Sequence, residues 1–266
     1  MEPAAADLVA SGYDAVYTSW NRGPTLRRIW RELAAGPGYP EEFRHISFLT
    51  GDELALLAGA LGLGPDGVLV DLACGAGGPG LWVSRQSGAR LVGVDLSAVA
   101  LLRAFELADR VGLGPRAEFV QGSFEATGLA ASTADAAMSV DALQYAPDKT
   151  RAFAEAARVL RPGGRVAFVA FELEPAHVAG LPVWSVDPVA DYRPVLEQAG
   201  FTVVRYEETP GWRERVTATF EAVVVERAAI EAELGVAATA VLALEASLTL
   251  EQRPYRRRVV AVASRS

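Results

Sequence analysis

Apolar positions along this chain follow two periods, and the change between them divides it into regions. Up to Leu61 the spacing is helical: Tyr13, Val16, Tyr17 and Trp20, then Leu26, Ile29, Trp30 and Leu33. Gly36-Pro-Gly-Tyr-Pro40 interrupts that pattern. Thr50-Gly-Asp-Glu53 has the form of a capping box for a further helix carrying Leu54, Leu57, Ala58 and Leu61. From Val68 onward short apolar runs alternate with amphipathic stretches. The runs predict strands over 68–71, 91–95, 117–120, 136–140 and 165–171, and the stretches between them predict helices over 79–86, 98–111 and 149–160. Gly163 and Gly164 are read as ending the last of those helices. Such alternation means a parallel sheet with right-handed crossovers.

The remainder predicts a helix over 189–199, a strand over 201–206 and a final strand over 258–263. Between those two strands, Trp212, Val216, Phe220, Val223, Ile230 and Leu234 form one helical stripe, and 236–248 reads as a second helix. The stripe reads as core packing first and as a substrate wall second. Arg256-Arg257-Arg258 reads as the solvated start of the final strand.

Composition narrows the class of protein. At 266 residues, with 51% hydrophobic, the chain can bury a substantial core and is read as a single domain over 1–266. No run approaches the roughly 18–20 apolar residues of a membrane span. Met1-Glu-Pro-Ala-Ala-Ala-Asp7 lacks the basic and apolar segments of a signal peptide, so a cytoplasmic location and no membrane partner are expected. The single cysteine, Cys74, excludes an internal disulfide, suits a reducing compartment and reads as a packing residue. A net charge of −8 argues against a nucleic-acid partner. With two histidines and one cysteine, a metal site is not expected.

The chemistry is concentrated in Asp71-Leu-Ala-Cys-Gly75-Ala-Gly77-Gly-Pro-Gly80, which joins the first predicted strand to its helix. Gly75-x-Gly77-x-x-Gly80 fits a dinucleotide turn, with Asp95 near the place of a ribose-binding acid. The same turn fits S-adenosylmethionine (SAM), and Asp71 separates the two readings. A pyrophosphate needs backbone N–H groups and a helix N-terminus. SAM instead carries an ammonium, which an acid beside a glycine turn suits.

On these residues the chain resembles the class I SAM-dependent methyltransferases. The resemblance rests on the Asp71 to Gly78 turn, Val-Gly-Val-Asp95-Leu-Ser, Glu118-Phe-Val-Gln-Gly122-Ser123-Phe124, Asp135-Ala-Ala-Met-Ser-Val-Asp141 and Ala157-Arg-Val-Leu-Arg-Pro162-Gly163-Gly164. These span 68–171 in the order and spacing that family shows. Gly-Pro-Gly80-Leu-Trp82 is similar to bacterial small-molecule methyltransferases of secondary metabolism, including antibiotic biosynthesis.

The resemblance implies an α/β, Rossmann-like sheet of seven strands, mostly parallel with the last antiparallel, and helices on both faces. It implies a helical lid over 1–66, a SAM-binding core over 67–208, a helical insert over 209–252 and a final strand over 253–266. It also implies roles. Asp71 and the backbone at Ala73, Gly75 and Gly77 hold the methionine end. Asp95 accepts the ribose hydroxyls, and Leu96 lies against the adenine, with Ser123 and Phe124 beside it. Asp141 sits near the methionine moiety, or caps the following turn, or both. Tyr13 closes over the cofactor.

The expected reaction is direct in-line methyl transfer to a small, fairly apolar acceptor, O-methylation before N or C, leaving S-adenosylhomocysteine. A fold that catalyses a cyclisation or rearrangement without methyl transfer is the alternative. Many related O-methyltransferases carry a histidine pair after the fourth strand, where this chain has Gln144 and Tyr145. His45 in the lid and His177 after the fifth strand are therefore the candidate bases, each with a structural alternative. Tyr145 is a candidate to orient the acceptor. A monomer or homodimer is expected.

Overall fold

The structure is a computed structural model that describes Asp14, Thr18, residues 23–181 and residues 187–266. Seven strands form one sheet: β1 (Val68–Leu72), β2 (Arg90–Asp95), β3 (Ala117–Gln121), β4 (Ala134–Val140), β5 (Leu160–Leu173), β6 (Phe201–Glu208) and β7 (Arg256–Arg265). Their order is β3-β2-β1-β4-β5-β7-β6. β1 to β5 pair in parallel, and β7 runs antiparallel to both β5 and β6. The chain leaves β1 toward one edge and returns to β4 on its other side. The carboxyl ends of β1 and β4 thus flank the switch point at which such sheets open a crevice.

Strand periodicity builds two cores. Val166, Phe168 and Ala170 of β5, with Val259, Ala261 and Ala263 of β7, face Phe153, Ala156 and Val159 of α5 (Lys149–Val159) and Leu196 of α7 (Arg193–Gln198). Ala167, Val169, Val260 and Val262 project to the other side, onto Leu54, Leu57 and Leu61 of α2 (Gly51–Leu61). α3 (Gly78–Ser87) and α4 (Ala98–Arg110) cover β1 to β3 on that same side. Both faces are buried, so the strands read as nearly continuous apolar runs. Thr50 caps α2 as its spacing predicts. Its hydroxyl accepts from Glu53 N at 3.2 Å, and Glu53 Oε2 accepts from Thr50 N at 3.0 Å.

A third apolar cluster sits beside the sheet. Leu26 and Ile29 of α1 (Pro24–Ile29), with Trp30 in the wider turns that prolong it to Ala35, pack on Phe48, Phe171, Trp212, Val216 and Phe220. The predicted stripe is buried from Trp212 to Ile230, with Leu234 half-buried. The expected helical pair is instead three helices: α8 (Trp212–Val225), α9 (Arg227–Leu234) and α10 (Val236–Gln252). Glu226 leaves helical geometry at ψ 18°, and Gly235 adopts φ 85° between the last two. Two further boundaries move. α5 ends at Val159, before Gly163 and Gly164; the short α6 (Pro175–Val178) follows β5, and α7 starts only at Arg193, with Pro194 in its first turn.

The arginine triplet before the last strand is a correction. Arg257 is exposed, but Arg256 and Arg258 point inward, and Arg258 is 0% exposed. Its Nε and Nη2 donate to Asp141 Oδ1 and Oδ2 at 2.8 and 3.0 Å. Its Nη1 donates to Glu53 Oε1 at 2.7 Å and to Thr209 Oγ1 at 3.2 Å. Glu53 Oε1 also receives Arg215 Nη2 of α8 at 3.1 Å, and Asp141 Oδ2 receives Phe48 N at 2.9 Å. Burial alone would lower the Arg258 pKa. The Asp141 and Glu53 charges outweigh it and hold the guanidinium above its ordinary value. One cation thus ties β7 to the end of β4, to α2, to the segment before α2 and, through Glu53, to the insert.

Arg258→Ala is expected to leave the buried Asp141 without a cation and Glu53 with Arg215 alone, and to cost about 3–5 kcal/mol, read from the urea midpoint. Arg205→Ala, which breaks the solvent-exposed Arg205–Glu207 pair, is expected to cost under about 1 kcal/mol.

Candidate functional site

The turn after β1 is shaped by residues that sit where a side chain would collide. A Cβ on Gly80 would stand 2.5 Å from Asp71 Oδ2, and one on Gly78 would stand 2.3 Å from the Phe43 carbonyl. The third glycine of the motif therefore lets α3 press against Asp71, and Gly78 lets the lid backbone rest on the start of α3. Gly75 and Gly77 have φ of 54° and 77°, which favours glycine, while Ala73 holds φ 58° despite its side chain. Across the switch point Asp141 holds φ 48°. Left-handed non-glycine backbone at both strand ends marks this crevice as a place where folding preference yields to site geometry.

A cavity of about 360 Å³ opens there. Asp71, Ala73, Cys74, Gly75 and Val140 line its floor, and Arg27, Arg44, His45, Ile46 and Ser47 line its lid side. Asp71 is 2% exposed. Burial, and then the Asp95 charge, push its pKa up to about 8 against a hydrogen bond from the Gly80 backbone. Asp95, at the tip of β2, accepts from Gly75 N at 2.8 Å on Oδ2 and from Ser97 N at 2.9 Å on Oδ1. Burial raises its pKa too, and those amides oppose the rise. Each Asp95 oxygen keeps a lone pair for a further donor.

Of the residues singled out from sequence, Asp71, Ala73, Gly75 and His45 line this cavity together, with Asp95 bonded to the Gly75 backbone and Gly77 in the same turn. Leu96 follows Asp95 and is half-buried. Ser123 closes a small turn with Ala126, its Oγ accepting from Ala126 N at 3.1 Å. Phe124 packs on the second core. Asp141 differs from the expectation. Its carboxylate is turned to Arg258 and Phe48 N, so it secures the lid rather than facing a ligand. Tyr145 packs at the edge of the third cluster. His177 is exposed, stacks on Tyr255 with ring centroids 3.6 Å apart, and is not brought to this cavity. Tyr13 lies outside the described residues, although Asp14 next to it accepts from Ser97 Oγ beside Asp95. Cys74 is buried, and burial raises its thiol well above the ordinary value, as for an inert packing residue.

His45 is half-buried against the Tyr39 ring at 4.2 Å between centroids, and its Nδ1 lies 2.6 Å from Ser47 Oγ. Burial brings its pKa down to about 3. The Leu49 backbone offsets part of that fall, and the Arg258 charge adds to it. Ser47, Tyr39 and Arg258 were not singled out for the site by sequence reading. Ser47, two positions from His45, was within reach of a local pattern, whereas nothing local links Arg258 to Asp141. Among the described residues no group of three or more His, Cys, Asp or Glu side chains could hold a metal ion, and no helix is long and apolar enough to cross a membrane.

Comparison with known proteins agrees with this geometry. Residues 70–168 match the family described as "Methyltransferase domain". The methyltransferase phqN of Penicillium fellutanum is 30% identical over 156 residues, covering 52% of this chain and 48% of that protein. A sterol 24-C-methyltransferase of Eremothecium gossypii is 28% identical over 135 residues, covering 48% of this chain and 36% of its own. The matches thus span about half or less of those relatives' lengths. In fold, the chain superposes on the [4+2]-cyclase SpnF with a TM-score of 0.76 at 24% identity, covering 97% of this chain and 94% of that one. The sheet order and the glycine turn between two strand-end carboxylates agree with that match: residues 70–168 are similar to the methyltransferase domain family.

Proposed function

We propose that this protein transfers the methyl group of SAM to a small, fairly apolar acceptor, with oxygen the preferred nucleophile, in natural-product biosynthesis. The observation that carries the reading is the pair Asp71 and Asp95 at the ends of neighbouring strands around the glycine turn. Two carboxylates repel a pyrophosphate and attract a ligand with a cationic end and a vicinal diol. SAM, when bound, supplies an electrophilic methyl on a sulfonium. The chain's part is to hold, to align and to keep water out.

Asp71 and the carbonyls around Ala73 receive the ammonium, and the spare lone pairs of Asp95 receive the two ribose hydroxyls. Leu96, Ser123 and Phe124 form the adenine side, and Tyr13 adds to the lid. Asp141 contributes its backbone, since its carboxylate is spent on Arg258 and Phe48. Ile46 lines the cavity and packs against the third cluster, so an apolar acceptor entering there would meet lid and insert side chains on one wall. Tyr145, in that cluster, would orient it. A histidine held near pKa 3 is a weak base at neutral pH. That favours a phenol or enol acceptor, whose own acidity leaves little for a base to do.

One observation favours a second reading, ring closure or rearrangement without methyl transfer. The residues after β4 are Gln144 and Tyr145, neither of them a base near neutral pH, in a chain whose fold matches a [4+2]-cyclase end to end.

Calorimetry is expected to show binding of SAM and not of NAD, and Asp95→Ala is expected to weaken SAM binding by about 1.5–3 kcal/mol. Tight NAD binding without SAM binding would sink the reading. With methyl-labelled SAM, label is expected in the product. An altered but unlabelled acceptor would select the second reading.

The pH dependence follows from Asp71. Between the ordinary carboxylate value of 3.8 and about 8 its folded form is protonated while the unfolded chain is charged, so its contribution to stability falls as pH rises through that window. A cationic ligand needs the ionised form, so binding releases this proton. SAM affinity is expected to rise by up to about tenfold per pH unit toward pH 8 and then level off, and Asp71→Asn is expected to remove the slope.

A further inference from the structure

Two buried polar atoms in the contacting Tyr39–His45 ring pair have no hydrogen-bond partner among the described residues: His45 Nε2 and Tyr39 Oη. His45 lines the cavity, and its other nitrogen is committed. Buried polar groups are ordinarily paired, and one left open beside a cavity points to a ligand atom.

The hydrogen bonds decide what Nε2 offers. Ser47 Oγ already accepts from Leu49 N at 3.2 Å. Its own hydrogen has His45 Nδ1, at 2.6 Å, as its partner among the described residues. With Nδ1 accepting, a neutral imidazole carries its proton on Nε2. Burial keeps the ring uncharged at working pH, so it meets the cavity as a fixed N–H donor. Arg27 and Arg44 line the lid side together with Glu41 and Glu42, and Glu41 pairs with Arg44, so the His45 N–H stands among side chains of both charges. The cavity therefore has the Asp71 carboxyl group on its floor and the His45 N–H on its lid side, the pair that an α-amino acid zwitterion would meet with its ammonium down and its carboxylate up.

We propose that His45 is a hydrogen-bond donor to the α-carboxylate of the cofactor's amino-acid end rather than a base, and that Ser47 is the residue that positions it. This assignment rests on the SAM reading and deepens it. It makes the lid a reader of the amino-acid end, so a cofactor without that carboxylate gains less from lid closure.

The test compares SAM with its decarboxylated analogue, which keeps the amine, the sulfonium and the nucleoside. Wild-type protein is expected to bind SAM at least about tenfold more tightly, the size of one hydrogen bond to a charged group. His45→Phe is expected to bind the two equally. His45→Gln, whose side-chain amide restores a donor, is expected to regain most of the preference. Ser47→Ala is expected to reduce the preference, and it serves as the second variant should His45→Phe fail to fold. A His45→Phe protein that keeps the full preference overturns the proposal, and so does unchanged SAM affinity with a lowered kcat, the mark of a base. Failure of the wild type to bind either compound would instead overturn the SAM reading itself.

Discussion

The buried guanidinium of Arg258 is the contact on which the arrangement of the site depends. A fully desolvated cation is stable only where its charge and its donors are all met, and here they are met by groups from three different parts of the chain. Asp141 brings the end of β4, Glu53 brings α2 with its capping box, and Thr209 brings the turn before the insert. Arg215 adds the insert itself through Glu53. Replacing one charged partner leaves the others buried and less compensated, so lid, sheet and insert are held in one register. Apolar packing in the third cluster adds adhesion between the same parts. The ion network adds direction, since a bidentate guanidinium–carboxylate pair tolerates little rotation.

This constraint explains the backbone at the switch point. Asp141 adopts a left-handed conformation because Arg258 on one side and Phe48 N on the other fix where its carboxylate must be. Val140, immediately before it, is thereby set into the cavity wall. Asp71 on the neighbouring strand is buried as deeply with a smaller share of compensation, which is why its pKa rises to about 8. Within one crevice, one carboxylate is neutralised by a resident arginine, and another, without such a partner, is held protonated by burial up to about pH 8.

The legible parts of the chain were those governed by local rules. The period of apolar residues located the central strands, because both sheet faces are buried there and those strands are apolar runs. The Asp71 to Gly80 turn was legible because glycine at left-handed or crowded positions, and an acid at a strand end, are requirements of a few adjacent residues. The capping box at Thr50 was legible for the same reason. Each of these lies within one element or one turn.

Sequence by itself therefore determined the sheet, the glycine turn and the two strand-end acids, and with them the kind of cofactor the fold is built to hold. Tertiary structure alone decided that Arg258 is buried while its neighbour Arg257 is not, that the Asp141 carboxylate turns away from the cavity, and that His45 rather than His177 reaches it. The reason is distance along the chain. Asp141 and Arg258 are 117 positions apart, and no local propensity encodes which charge will lose its water to which partner. Only the packed fold, by excluding solvent from one and leaving it to the other, assigns those roles.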